Sequence, residues 1–251
     1  MPVSEIYNED CYETLKRLED KSIDMILQDA PFGVTQNEWD IKPDLNKMWP
    51  EWLRVAKDNA AFLFFATQRF ASELVASNPK HFRYDLIWHK PSGTGHLNAN
   101  RMPLRNHELI LVFYRSLPTY NPQKTTGHVR KVATAKHKRN CKVTTNYGAH
   151  ELRGYDSTER HPTSVLSFAV EPNPFHPTQK PVELKRYLIR TYSNENDTVF
   201  DGYVGSGTTP AAAYIENRNF KGSENKDEYY QYSTQRLETL KDKITFFNLH
   251  T

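Results

Sequence analysis

The chain has 251 residues, 37% hydrophobic and 12% aromatic, enough for one sizeable domain with a real core. A formal charge of +3 says little about partners, and two cysteines, Cys11 and Cys141, suggest neither a disulfide scaffold nor a four-ligand zinc site. The opening MPVSEIYNED lacks the charged head and apolar run of a signal peptide, and no apolar run approaches the roughly 18 residues that span a bilayer; a soluble protein of a reducing compartment is expected.

In chain order, Cys11–Leu18 reads as a helix with Leu15 and Leu18 on one side, and Ser22–Leu27 (SIDMIL) as a strand. Leu45–Ala56 carries Leu45, Met48, Trp49, Trp52, Leu53 and Ala56 at helical spacing. Ala60–Ala66 (AAFLFFA) predicts a strand, Arg69–Ala76 a helix, and Tyr84–Trp88 and Glu108–Tyr114 two more strands. Val182–Tyr192 predicts a helix and Thr198–Phe200 a strand. Thr209 then reads as an N-cap, with Pro210 at the first position of the helix that follows. Phe220–Ser223 predicts a strand, and Asp227–Ile244 a long polar helix with Tyr230, Leu237 and Leu240 inward. Near-continuous apolar strands belong to a sheet covered on both faces. Alternation of strand and helix predicts an α/β, Rossmann-like, doubly wound sheet.

One segment breaks the alternation. Arg115–His161 has little apolar periodicity, ten Lys/Arg and three acids, a net of +7 that leaves −4 for the rest of the chain. A basic insertion on a mildly acidic body suits a polyanion, although a bare charge run is also what a solvated loop looks like. Within it Arg130, Lys131, Lys136, Lys138 and Arg139 are the candidate polyanion contacts, which the resemblance described below makes candidate DNA contacts. The loop Gly93–Arg105, rich in Asn and Arg, adds Asn98, Arg101 and Arg105.

Two motifs carry chemistry. Asp29-Ala30-Pro31-Phe32 follows the first predicted strand. An exocyclic amine on a base is a poor nucleophile, because its lone pair is delocalised into the ring. It needs acceptors for its two N–H groups so that charge can build on nitrogen. Asp29 supplies a carboxylate and Ala30 a backbone carbonyl. Pro31 restricts Ala30 and removes a competing donor, and Phe32 offers a flat face to a base pulled from the stack. Alone, these four residues are equally an ordinary turn. The second motif is Asp201 followed by Gly205-Ser206-Gly207-Thr208-Thr209, a glycine-rich turn between strand and helix. It lacks the lysine of a Walker-type loop. Glu224, after the next strand, suits a ribose diol, as it would in a nicotinamide-dinucleotide enzyme too.

The chain resembles the beta-group adenine-specific DNA amino-methyltransferases, in which a DPPY or DPPF motif precedes the recognition region and an FxGxG motif comes last. DAPFG, the basic insertion and FDGYVGSGTT stand in that order. NEDC with ETLKRL resembles the family's GDCLExL segment, and His176-Pro177-Thr178-Gln179-Lys180-Pro181 its HPTQKP segment. The resemblance covers nearly the whole chain. It implies one methyltransferase domain over 1–251, a mostly parallel seven-stranded sheet, and an inserted target-recognition region at 115–165. It implies S-adenosylmethionine as cofactor, held by Asp10, Cys11, Asp29, Thr178, Lys180, Asp201, Tyr203, Gly205, Ser206, Gly207, Thr208 and Glu224. Asp29, Ala30, Pro31 and Phe32 become the catalytic set. Transfer would be direct, onto the amine of a flipped adenine in double-stranded DNA. Asp rather than Ser at 29 favours adenine, since the cytosine-amine members usually carry SPPY or SPPW.

The family setting is the cytoplasm of a prokaryotic or phage-infected cell, with no membrane partner. A homodimer and a cognate restriction endonuclease are further partners that it implies. Ala30 replaces a proline, Gly202 and Tyr203 replace proline and phenylalanine, and Asn8-Glu9 replaces a glycine. Alternatives are a cytosine-amine methyltransferase and a decayed homologue that still binds DNA. A nicotinamide-dependent reductase is more distant, because the glycine turn lies so close to the C-terminus.

Overall fold

The computed structural model describes residues 2–33, 40–134, 154–172, 175 and 178–250, the last four as backbone alone. The chain divides into two compact units, Met1–Asn121 with Ser164–Thr251, and Pro122–Thr163. In the larger unit the strands are β1 Ser4–Tyr7, β2 Ile23–Gln28, β3 Ala56–Ala66, β4 Phe82–Thr94, β5 Arg105–Phe113, β8 Val165–Ser167, β9 Thr198–Asp201 and β10 Asn219–Ser223. Its helices are α1 Cys11–Arg17, α2 Leu45–Val55, α3 Gln68–Ser77, α4 Val182–Tyr192, α5 Thr208–Ile215 and α6 Asp227–His250. The smaller unit holds β6 Lys131–Ala133 and β7 Tyr155–Ser157, paired antiparallel.

The sheet order is β1-β10-β9-β2-β3-β5-β4-β8, and β5 alone runs against the other seven strands. Chain order reverses between β9 and β2, which pair through Met25–Val199 and Ile26–Phe200. Such a switch point, at the carboxyl ends of the strands, is where open α/β sheets bind ligands. Here it sets Asp29, just past β2, beside Asp201, the last residue of β9.

The FLFF run of β3 shows why a fully apolar strand reads as buried. Phe62 and Phe64 point to one face, packing with Trp49, Trp52, Phe70 and Phe113. Leu63 and Phe65 point to the other, with Trp88, Leu184, Leu188 and Ile189. α1, α2 and α3 supply residues to the first layer, and α4 and α5 to the second, so the sheet is wound on both faces.

The sheet has eight strands where seven were expected. β1 and β8 are the elements without a clear signal: SEIY is half-buried throughout, and VLS buries only Leu166. The predicted N-cap is corrected as well. Gly207, at φ 80°, caps α5, so Thr208 begins the helix and Pro210 sits in its first turn, where a missing N–H costs no hydrogen bond. Thr209 is freed from capping and turns its hydroxyl to Asp201.

Candidate active site

A cavity of about 690 Å³ opens at the switch point. It lies within the roughly 300–1,000 Å³ usual for small-molecule sites. Asp10, Asp29, Ala30, Pro31, Phe32, Thr178, Lys180, Asp201, Tyr203, Gly205, Ser206, Thr208 and Glu224 all line it, so the fold brings two distant motifs together. Two expected residues do not line it. Cys11 is 3% exposed and packs behind the wall, where burial pushes its thiol pKa well up. Gly207 caps α5 at φ 80°, and a Cβ there would meet Ser233 tightly, at 3.0 Å.

The floor is the glycine turn. Gly205 has φ 52° and nothing within 4 Å of an added Cβ, so its backbone faces open space that a ligand can fill. Its N–H donates to Glu224 Oε2 at 2.8 Å, and the Lys226 N–H to Oε1 at 2.9 Å. The Asn225 N–H is a third backbone donor to this carboxylate, which still keeps a lone pair for a hydroxyl donor. Burial raises the Glu224 pKa above its ordinary value, against the backbone N–H groups that lower it. Asp10 caps α1 by accepting from the Tyr12 N–H at 2.8 Å while still reaching the cavity.

A buried pair also lines the cavity. Lys185 Nζ donates to Thr209 Oγ1 at 2.8 Å and stands 3.5 Å from Asp201 Oδ2, and the Thr209 hydroxyl donates to that same oxygen. Asp201 Oδ1 accepts from the Tyr203 N–H at 3.0 Å. Burial still raises the Asp201 pKa, because desolvation outweighs these partners.

On the other wall Lys180 Nζ donates to Asp29 Oδ2 at 2.8 Å and lies 3.5 Å from Glu108 Oε2. Burial alone would lower the Lys180 pKa, but the two carboxylates hold it above its usual value. Glu108 also lines the cavity, and Lys90 Nζ sits 2.5 Å from its other oxygen. Sequence reasoning missed Lys90, Glu108 and Lys185. Nothing in their spacing marks them, since a charge at a strand or helix position ordinarily faces water. Phe32 is braced by Phe70, with ring centroids 5.5 Å apart.

The expected DNA contacts fall in three places. Asn98, Arg101 and Arg105 are exposed on the β4–β5 hairpin. This hairpin leaves the carboxyl edge of the sheet, the edge of the cavity, because β4 runs parallel to β2. Lys131 and Arg130 are exposed in the smaller unit, where Arg130 is tied to Asp156 by two bonds of 2.7 and 2.6 Å. Lys136, Lys138 and Arg139 lie outside the described residues. Among the described residues no helix is long and apolar enough to cross a membrane, and no cluster of three or more His, Cys, Asp or Glu could hold a metal ion.

Known proteins show the same organisation. M1.HpyAVI, solved as a complex with SAM, superposes with a TM-score of 0.64 at 23% identity, over 94% of this chain and all 100% of that one. The cytosine-N4-specific PvuII DNA methyltransferase gives 0.64 at 17% identity, over 96% of this chain and 91% of that one. The type II methyltransferase M1.MboII of Moraxella bovis is 27% identical over 249 residues, spanning 91% of this chain and 94% of its relative. A family model for DNA methylase, of the N6/N4 group, matches residues 23–235. With that match over most of its length, the chain belongs to the DNA methylase family.

Proposed function

We propose that the protein methylates the exocyclic amine of adenine within a specific sequence of double-stranded DNA, in the cytoplasm of its cell. The observation that carries this reading is the state of Asp29. One of its oxygens is held by the buried Lys180, and the residue faces the same cavity as Glu224 and the glycine turn. The cofactor, S-adenosylmethionine, supplies a sulfonium methyl when bound. The open backbone at Gly205 and the remaining acceptor capacity of Glu224 fit such a ligand. Glu224 would accept from a ribose hydroxyl, Asp10 and Tyr203 would border its adenine, and Ser206, Thr208 and Thr178 would border its amino-acid end.

Asp29 Oδ1 and the Ala30 carbonyl accept the two N–H bonds of the target amine, and Phe32 stacks on the extruded base. Positive charge then builds on nitrogen against acceptors already in place, so acceleration comes from alignment and electrostatics. Asp at 29, where cytosine-amine members usually carry Ser, supports adenine. The β4–β5 hairpin meets DNA: the chain carries no acid between Asp85 and Glu108, and Arg101 and Arg105 are exposed there. Leu97 at its tip, fully exposed, suits the gap left by the extruded base. The smaller unit contributes to sequence recognition.

The test is mass spectrometry of nucleosides from unmethylated DNA incubated with the protein and labelled S-adenosylmethionine. Label in methyladenine is expected, and Asp29→Ala should abolish it while leaving cofactor binding intact. Label in methylcytosine instead would overturn the base assignment. No label, with the cofactor still bound, would replace the reading with a decayed homologue.

A further inference from the structure

Four side chains of alternating charge run from strand β4 to the carboxylate past β2. Lys90 Nζ is 2.5 Å from Glu108 Oε1, Glu108 Oε2 is 3.5 Å from Lys180 Nζ, and Lys180 Nζ is 2.8 Å from Asp29 Oδ2. Only the last pair falls within the motifs. We infer that Glu108, held in turn by Lys90, is a positioning residue for Asp29; this rests on the methyl-transfer reading above.

Lys180 is the reason a second carboxylate is needed. Its side chain is 4% exposed, and it lies over the rings of Phe65 and Phe32, 5.3 and 5.8 Å from the centroids. A desolvated ammonium beside a single carboxylate leaves the potential at that carboxylate strongly positive. Asp29 would then be a poorer acceptor for the target amine. Glu108, 3.5 Å from Nζ, adds an opposing negative potential and restrains the flexible lysine chain beside Oδ2 by ion pairing. Among the described residues, no hydrogen bond occupies Asp29 Oδ1, which leaves it for the substrate. Lys90 keeps the row neutral, two cations against two anions. Burial opposes charge on Glu108, yet Lys180 and Lys90 together hold its pKa below the ordinary value.

Among the described residues, the charged groups around Lys180 are few. Asp29 follows β2, Glu108 stands on β5 with Lys90 of β4 behind it, and β3 contributes only the Phe65 ring. Lys185 of α4 lies 5.0 Å from the Phe65 ring centroid and is itself matched by Asp201 of β9. Glu108 is therefore one of the two carboxylates that keep Lys180 protonated. Its loss weakens that hold and lets the lysine lose its proton at lower pH.

The experiment uses the purified full chain, unmethylated duplex DNA and labelled S-adenosylmethionine, with rates followed from neutral to alkaline pH. Glu108→Gln is expected to lower kcat by about tenfold, the scale of a displaced charge-assisted hydrogen bond. Cofactor affinity should stay at the wild-type value, and the alkaline limb of kcat should move to lower pH. Glu108→Asp should recover part of both effects. Lys90→Met, which keeps the Glu108 carboxylate, should lower kcat less. Wild-type kcat and an unmoved alkaline limb in Glu108→Gln would overturn the inference, as would a loss confined to the KM for DNA. If Glu108→Gln does not fold, Lys90→Met decides: a lowered kcat at unchanged cofactor affinity supports the inference, and an unchanged kcat overturns it. A wild-type protein that binds cofactor but transfers no methyl removes the reading beneath, and the inference with it.

Discussion

Gly202 and Cys11 compete for one space: a Cβ on the glycine would stand 2.0 Å from the cysteine sulfur and 2.9 Å from its Cβ. The glycine that replaces the family's usual proline is thus a packing partner of α1. Restoring a Cβ there is expected to destabilise the fold by about 1–3 kcal/mol, the usual cost of overpacking. Urea unfolding of Gly202→Ala checks this. Cys11→Ala removes the sulfur, so the double variant should recover part of the loss, a non-additivity that a mutant cycle reads directly. Fully additive losses would show that the two residues do not share the space.

Glu224 gives a pH prediction. Burial, the largest influence, raises its pKa above the ordinary 4.5, so it takes up a proton earlier than a free glutamate as pH falls. Cofactor affinity should weaken on acidification toward that raised value, and in Glu224→Gln the dependence should flatten. Loss of a hydrogen bond to a charged group predicts a roughly tenfold weaker affinity for that variant at neutral pH. Calorimetric titration over the acidic range reads both. For folding the sign is opposite to that of a salt-bridged acid. The carboxylate costs stability above its raised pKa, and the cost fades as pH falls toward the ordinary value.

The Lys185–Asp201 pair should be costly to break. Both side chains are at most 3% exposed, and removing one partner leaves a buried charge. Lys185→Met is expected to cost about 3–5 kcal/mol in denaturant unfolding at neutral pH. The penalty should shrink in acid. Burial already raises the Asp201 pKa, and without Lys185 the carboxyl takes a proton more readily still.

The exposed arginines separate by partner. Losing Arg101 and Arg105 together should lower the slope of log affinity against log salt by about 0.9 for each phosphate contact removed. Arg130→Ala should leave the slope nearly unchanged, because that guanidinium is already spent on Asp156. Filter or fluorescence binding across a salt series distinguishes the two. An Arg130 effect as large as the double variant's would mean that the Asp156 pair opens on DNA.

Much of the fold was legible because burial on both faces leaves a clear trace in the Met25–Leu27 run of β2 and the Ala60–Ala66 run of β3, where every side chain is apolar. The motifs at Asp29 and Asp201 were legible because turns at strand ends need proline and glycine at particular places. The ionic wall was not. Lys180 and Asp29 are 151 residues apart, and the antiparallel insertion of β5 between β3 and β4 is what brings Glu108 to them. No local pattern encodes that placement. Cys11 shows the converse: a motif position was read as touching the ligand, while its side chain packs against the back of Gly202.

The pairing of β2 with β9 joins stretches separated by most of the chain. A polypeptide emerging from the ribosome therefore displays Asp29 long before the glycine floor exists, and the cavity forms only when synthesis is nearly finished. Any opening that parts those two strands erases the pocket at once, even with every helix still formed. Cofactor occupancy consequently reports the integrity of this seam, and bound ligand works as a clasp across the β2–β9 pairing.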